Sequence, residues 1–229
     1  MSSTFITYFL IFSGFALLLI SEAIGHASKS LKFEDILCGR GDMNTLIRKH
    51  LFASVVLGFA ILFLNLLLKN ENRWLLPAGN DEWFVIWIIA MFAAFFAGSF
   101  AAKEKLRGFY KSTPVIFLPG HLTNYYFLSR ALFLIVYEFF FRGVLLENMI
   151  KSTGIILAII INIIFYALAH AFSNKKEIIG TIPFGFLLCI ITIHLQSVWP
   201  ATGIHLVLSF AYEIKLSYRY SHFIKKMNT

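Results

Sequence analysis

Charge is scarce in this chain. Only 14% of its 229 residues are Asp, Glu, Lys or Arg, against roughly 25% in soluble domains, and 59% are hydrophobic. That shortage excludes an ordinary soluble domain and points to a membrane protein. Cysteine is nearly absent: Cys38 lies in a basic loop and Cys189 in an apolar run, so no disulfide framework is expected. Acidic residues are few, 12 against 20 Lys and Arg, for a net charge of +8. No basic run is interleaved with surface aromatics, so the expected partner is the lipid bilayer and not nucleic acid; the charges sit in short loops between apolar spans. Internal repeats and low-complexity tracts are missing too. The N-terminal apolar stretch lacks a basic leader and a small-residue cleavage site, so it reads as a retained helix.

What is present is a series of seven apolar segments, 4–24, 51–68, 83–102, 125–146, 154–172, 179–197 and 200–216. Each approaches the roughly 20 residues that cross a bilayer, which predicts an all-α polytopic membrane protein with about seven transmembrane helices. With the N-terminus outside, the inside stretches 25–50, 103–111, 175–176 and 215–226 hold fifteen Lys and Arg, whereas the outside holds Lys69, Arg73 and Lys151. The bias follows the positive-inside rule and predicts a cytoplasmic C-terminus. Richness in Phe, Ile, Lys and Asn points to an AT-rich bacterial genome and hence to a bacterial plasma membrane. The stretch "STPVIFLPGH", 112–121, reads as a turn. It divides a three-helix N-terminal region, 1–111, from a four-helix core with a basic tail, 112–229.

Polar residues inside the spans carry the chemical information, because a charge at mid-membrane costs about 2.5–3.5 kcal/mol on insertion scales and tends to face a bundle interior or a wet cavity. "YEFFFRG", 137–143, places Glu138 and Arg142 four apart on one helix face, where they neutralise each other. Alone, this reads equally as an ion pair that pins helix packing. Arg130 reads as a snorkelling side chain. "FYALAH" sets Tyr166 and His170 one turn apart, with Asn162 two turns before the histidine. "WPATGIHLVLSFAYE" sets His205, Ser209 and Glu213 along one stripe. For these the bland reading is a polar packing seam, with Glu213 solvated beside Lys215. His26, His50, His121 and His222 read as solvated. Three spans that each offer an ionisable face argue for one shared polar cavity.

These motifs, in this order, resemble those of the CAAX protease and bacteriocin-processing (Abi) family, which includes the type II CAAX prenyl endopeptidases. The family pattern is Glu-Glu-x-x-x-Arg, then Phe-x-x-x-His, then His-x-x-x-Asn over four helices, and the likeness covers about 125–213. The resemblance implies an intramembrane endopeptidase approached from the cytoplasmic side. A glutamate and a histidine would activate water, and a second histidine and an asparagine would hold the oxyanion. Glu138 corresponds to the second glutamate, Arg142 to the arginine, His170 and His205 to the two histidines. Three positions depart: Tyr137 stands at the first glutamate, Tyr166 at the phenylalanine and Ser209 at the asparagine. Tyrosine, with an ordinary pKa near 10, is a poor base, and a serine donates a hydrogen bond with a shorter reach than an amide.

Two water-activating arrangements remain open. In the preferred one Glu138 is the base, Arg142 orients it and His170 helps position the water. In the other His170 is the base, Tyr137 donates a hydrogen bond, and His205 with Ser209 stabilises the oxyanion. Zinc is considered and not expected, since the short His-x-x-x-His spacing of helical zinc peptidases is missing; no cofactor is implied. The expected substrate is a peptide or lipid-associated protein. The competing class is a catalytically inactive relative serving as a membrane scaffold or regulator, with Tyr137 and Ser209 reporting lost chemistry. A small transporter is disfavoured because repeated halves are missing. One geometric demand follows from straight full-length helices, which would leave His170 and His205 roughly 15 Å apart in depth. It predicts that "GTIPFG", 180–185, is a loop, that the sixth helix starts at Pro183, and that a cavity lies beside 197–203.

Overall fold

The computed structural model describes residues 3–27, 32–37, 41–68, 84–109 and 120–227; the expected turn at 112–121 falls outside them except for its last two residues. Within them every regular element is helical. In chain order these are α1 (Ser3–Ala27), α2 (Phe33–Leu37), α3 (Met43–Leu68), α4 (Phe84–Phe109), α5 (Gly120–Glu138), a π-helical segment (Phe139–Leu146), α6 (Glu147–Thr153), α7 (Ile155–Ala169), α8 (Lys175–Leu195) and α9 (Trp199–Met227). All seven expected spans are helices. Four, within α1, α3, α4 and α8, are long and apolar enough to cross a membrane, with stretches of 20, 24, 23 and 21 residues. At 1.5 Å per residue, 20 residues cover about 30 Å, the thickness of the hydrocarbon core. The chain is an all-α polytopic integral membrane protein.

Packing joins these helices through three apolar clusters. In the largest, Ile11, Phe15 and Leu18 of α1 meet Leu57, Ile61 and Leu64 of α3, Phe133 and Leu134 of α5, and Phe140, Phe141, Val144, Leu145 and Leu146 of the π-helical segment. A second joins α4, α8 and α9 through Ala94, Leu188, Ile191 and Ile204. Close approach of α4 and α9 requires Gly98, where an added Cβ would lie 2.3 Å from the Leu208 carbonyl oxygen. The third cluster seats the short α2 on α3, α4, α5 and α9 through Phe33, Ile36, Leu106, Tyr126 and Leu216. Around it lie the ion pairs Lys32–Glu177, Lys49–Glu22 and Lys105–Glu34, each 2.6 Å. This end of the bundle, where α1, α4 and α7 finish and α3, α5 and α8 begin, is the basic end.

The structure corrects the expected loop at 180–185. α8 runs unbroken from Lys175 to Leu195 with Pro183 inside it, started by Asn174, whose side-chain oxygen accepts the Glu177 amide at 3.0 Å. The depth problem is solved instead by α7. Its 15 residues rise only about 22 Å, short of the roughly 30 Å of a full span, and His170 at its end flanks the same Tyr137 ring as His205. Where the sequence predicts a cavity beside 197–203, the turn is packed. Trp87 Nε1 donates to the Pro200 carbonyl at 3.1 Å, and Gly203 faces the same indole.

Candidate active site

The π-helical segment positions the first motif. Its i to i+5 bonding buries Phe140, Phe141, Arg142, Gly143, Val144, Leu145 and Leu146 without leaving a lipid-facing stripe. Wider turns leave carbonyls for side chains to satisfy: Asn162 Nδ2 donates to Phe141 O at 2.7 Å and Asn148 Nδ2 to Val144 O at 2.7 Å. Asn162 is itself held by Cys189, whose thiol donates to Oδ1 at 3.3 Å. Asn162 is thus a brace between α7 and the π-helical segment, with Cys189 of α8 behind it.

Glu138, the last residue of α5, is fully buried, as is Arg142. The Arg142 Nε lies 3.3 Å from Glu138 Oε2, and the guanidinium carbon sits 4.2 Å from the centre of the Tyr166 ring, so the charge is shared between a carboxylate and an aromatic face. The other carboxylate oxygen, Oε1, lies 2.6 Å from His205 Nδ1. A carboxylate only accepts, so Nδ1 carries the proton and Nε2 points away from Glu138. His170 follows the same logic: its Nδ1 lies 2.9 Å from the Tyr166 carbonyl, which fixes the proton there and leaves Nε2 as an acceptor.

Both imidazoles flank the same two tyrosines. Tyr137 is 6.3 Å, ring centre to ring centre, from His170 and 6.1 Å from His205; Tyr166 is 5.0 and 6.3 Å from them. The two histidines, 35 residues apart in sequence, therefore share one layer. Tyr137 is buried, and its hydroxyl has no hydrogen-bond partner among the described residues. Phe184 of α8 closes the far side of His205 at 5.5 Å; nothing in its apolar surroundings in the sequence singles it out.

Ser209 lies one turn from His205 toward the basic end, where the expectations for two neighbours need correction. Arg130 does not snorkel. Its Nε lies 3.2 Å from Glu213 Oε1 and its Nη2 donates to Ser209 Oγ at 3.1 Å. Glu213, expected to be solvated, is buried in this pair, because two opposite charges on facing helices satisfy each other more cheaply than either alone. His50 is also buried rather than solvated: it stacks on Phe133 at 5.4 Å, with Nδ1 3.5 Å from the Ser129 hydroxyl. His121 is exposed, and the side chains of His26 and His222 lie outside the described residues. A signal for Arg130 existed, since 130, 134 and 138 follow helical spacing and put it on the face of Glu138. Among the described residues no three His, Cys, Asp or Glu side chains converge as a metal site.

The structure thus brings Tyr137, Glu138, Arg142, His170 and His205 together, with Ser209 one turn away beside Arg130. No curated protein and no solved structure matches the chain. The three motifs fall within residues 122–211, and that stretch matches the family model described as type II CAAX prenyl endopeptidase Rce1-like, bearing out the resemblance read from the motifs.

Proposed function

We propose that the protein is an intramembrane endopeptidase that cleaves a peptide bond of a membrane-associated peptide or lipid-bearing protein, with His205 as the general base and Glu138 as its orienting carboxylate. The observation that carries this reading is the 2.6 Å contact between Glu138 Oε1 and His205 Nδ1. It fixes the tautomer with Nε2 as acceptor and stabilises the imidazolium that forms when Nε2 takes a proton, the division of labour of a carboxylate–histidine pair in hydrolases. Glu138 itself, engaged by His205 and Arg142, is better placed to orient the base than to take the proton of water. His170 Nε2, on the other side of Tyr137, is a second acceptor for the same water.

The reaction then balances as follows. Water gives a proton to His205 Nε2 as its oxygen attacks the carbonyl carbon. The oxyanion accepts the Tyr137 hydroxyl, which no described residue hydrogen-bonds. On collapse the C–N bond breaks and His205 returns the proton to the leaving amine. The chain's own side chains supply every step, with no cofactor invoked. We place the basic end at the cytoplasmic face of a bacterial plasma membrane, the N-terminus outside, on the charge bias of the loops.

A second reading, an inactive scaffold, draws on the complete burial of Glu138 and Arg142, which also suits a purely structural ion pair. Cleavage of a peptide library by the reconstituted protein separates the two. On the peptidase reading, His205→Ala and Glu138→Gln each abolish turnover at matched folded yield. Tyr137→Phe lowers kcat by about 10²-fold with KM and melting temperature unchanged. A wild type that cleaves nothing, or a fully active His205→Ala, rejects this mechanism.

A further inference from the structure

The serine at the motif-three position poses a chemical problem that its neighbour resolves. A hydroxyl reaches less far than a carboxamide and carries no charge, yet Ser209 Oγ is held 3.1 Å from Arg130 Nη2. We infer that Arg130 is a further catalytic group, which acts beside Ser209 to place a guanidinium charge on the tetrahedral oxyanion. This rests on the peptidase reading above.

Three observations support it. First, the atoms of Arg130 that the protein uses lie on one edge of the guanidinium: Nε faces Glu213 Oε1 at 3.2 Å and Nη2 faces Ser209. No described residue hydrogen-bonds Nη1, so its two N–H donors are available. Second, the side chain is braced but not sealed. It keeps 23% of its surface exposed, whereas Glu213 keeps 7% and Arg142 none. Arg142 is closed off from solvent in the interior, whereas part of the Arg130 side chain stays accessible to a ligand. Third, the position is right. Ser209 follows His205 by one helical turn, about 6 Å, and Arg130 stands over Phe133, 5.7 Å from its ring centre, while that ring lies 5.5 Å from Tyr137. The cation therefore borders the layer in which the carbonyl must sit.

The energetics agree. A fixed cation aimed at developing negative charge in a water-poor site is worth far more than the same group in water. Glu213 holds the fork in place without cancelling it, because the carboxylate occupies the opposite edge. The arrangement also explains why a serine suffices at 209: it bridges and orients, and the arginine carries the charge.

The test uses two readouts on the full-length protein in nanodiscs. Steady-state cleavage is measured for wild type, Arg130→Gln, Arg130→Lys and Ser209→Ala. In parallel, binding of a phosphinic peptide, which carries a tetrahedral anion at the scissile position, is compared with binding of the uncharged peptide amide of the same sequence. The expected result is a fall in kcat of about 10²–10³-fold in Arg130→Gln with KM within a few-fold, partial recovery in Arg130→Lys, and loss of the preference for the phosphinate in Arg130→Gln. Turnover in Arg130→Gln within 3-fold of wild type overturns the proposal and leaves the peptidase reading standing. Equal binding of phosphinate and amide by the wild type overturns it whether or not cleavage occurs. Absence of cleavage together with an Arg130-dependent phosphinate preference supports the anion site while rejecting the water-activating mechanism.

Discussion

Two guanidinium–carboxylate pairs lie along the run of α5 and the π-helical segment that continues it, and they differ in nearly every respect. Arg142 and Glu138 are four residues apart on one continuous helical run and fully enclosed, with a histidine and a tyrosine ring completing their shell. Arg130 and Glu213 lie on different helices, α5 and α9, with the arginine part-exposed and a serine sharing it. The deep pair cannot exchange its partners for water, so each charge depends on the other. The outer pair has water as an alternative, which lowers its worth to stability and leaves its cation free to meet a substrate. On the proposed mechanism, the enclosed layer orients the base and the part-exposed layer acts on the ligand's charge.

Breaking the deep pair is expected to have the largest effect. Glu138→Leu leaves Arg142 buried without a counter-charge and should cost about 3–5 kcal/mol, read as a shift of the unfolding midpoint in detergent. A loss below about 1 kcal/mol would mean that the stack on Tyr166 alone keeps Arg142 content. Arg130→Met should cost less, about 1–2 kcal/mol, since Glu213 then loses one charged partner near an accessible edge. The double replacement Arg130→Met with Glu213→Leu sharpens the comparison. Matched apolar volume in place of a buried pair is often neutral or better, so it should recover most of that loss while turnover stays low. Recovery of turnover with stability would remove the distinction between a structural and an electrostatic layer.

The smallest expected effect lies at an ionic group outside the bilayer. Asp42 precedes α3, and its Oδ2 accepts the Thr45 hydroxyl and amide, each at 2.9 Å. These bonds, the hydroxyl's first, hold its carboxyl below the ordinary value of 3.8. A carboxylate lowered in the folded state stabilises above the unfolded-state value and loses that contribution as pH falls through the folded one. Asp42→Ala should therefore cost about 0.5–1 kcal/mol at neutral pH, less at high salt, and the gap to wild type should close in acid. A gap independent of pH would assign the cost to the cap's backbone geometry.

Much of this was legible in the residues. Seven apolar segments became seven helices because a backbone in lipid has to satisfy its own hydrogen bonds, whatever its neighbours do. Glu138 with Arg142 was legible because i, i+4 spacing on a helix fixes proximity. Arg130 with Glu213 was not: each looked like a charge near a span end, and only the facing of α5 against α9 makes them partners. His50 was misread for the same reason, since a histidine close to a basic loop looks solvated until Phe133 and Tyr126 are found around it. Pro183 invited a loop because proline lacks a helix-interior donor, but a helix in a bundle tolerates that loss.

By itself the sequence determined the solvent, the helices and the chemical inventory, because hydropathy and helical spacing act over a few residues. Tertiary structure alone decided depth and aim. A helix of only 15 residues brings His170 to the same tyrosine ring that His205 flanks. A π-helical run delivers Arg142 and Glu138 into the interior. A carboxylate meets a histidine 67 residues away in sequence. Those outcomes depend on which faces meet, and no local pattern encodes that.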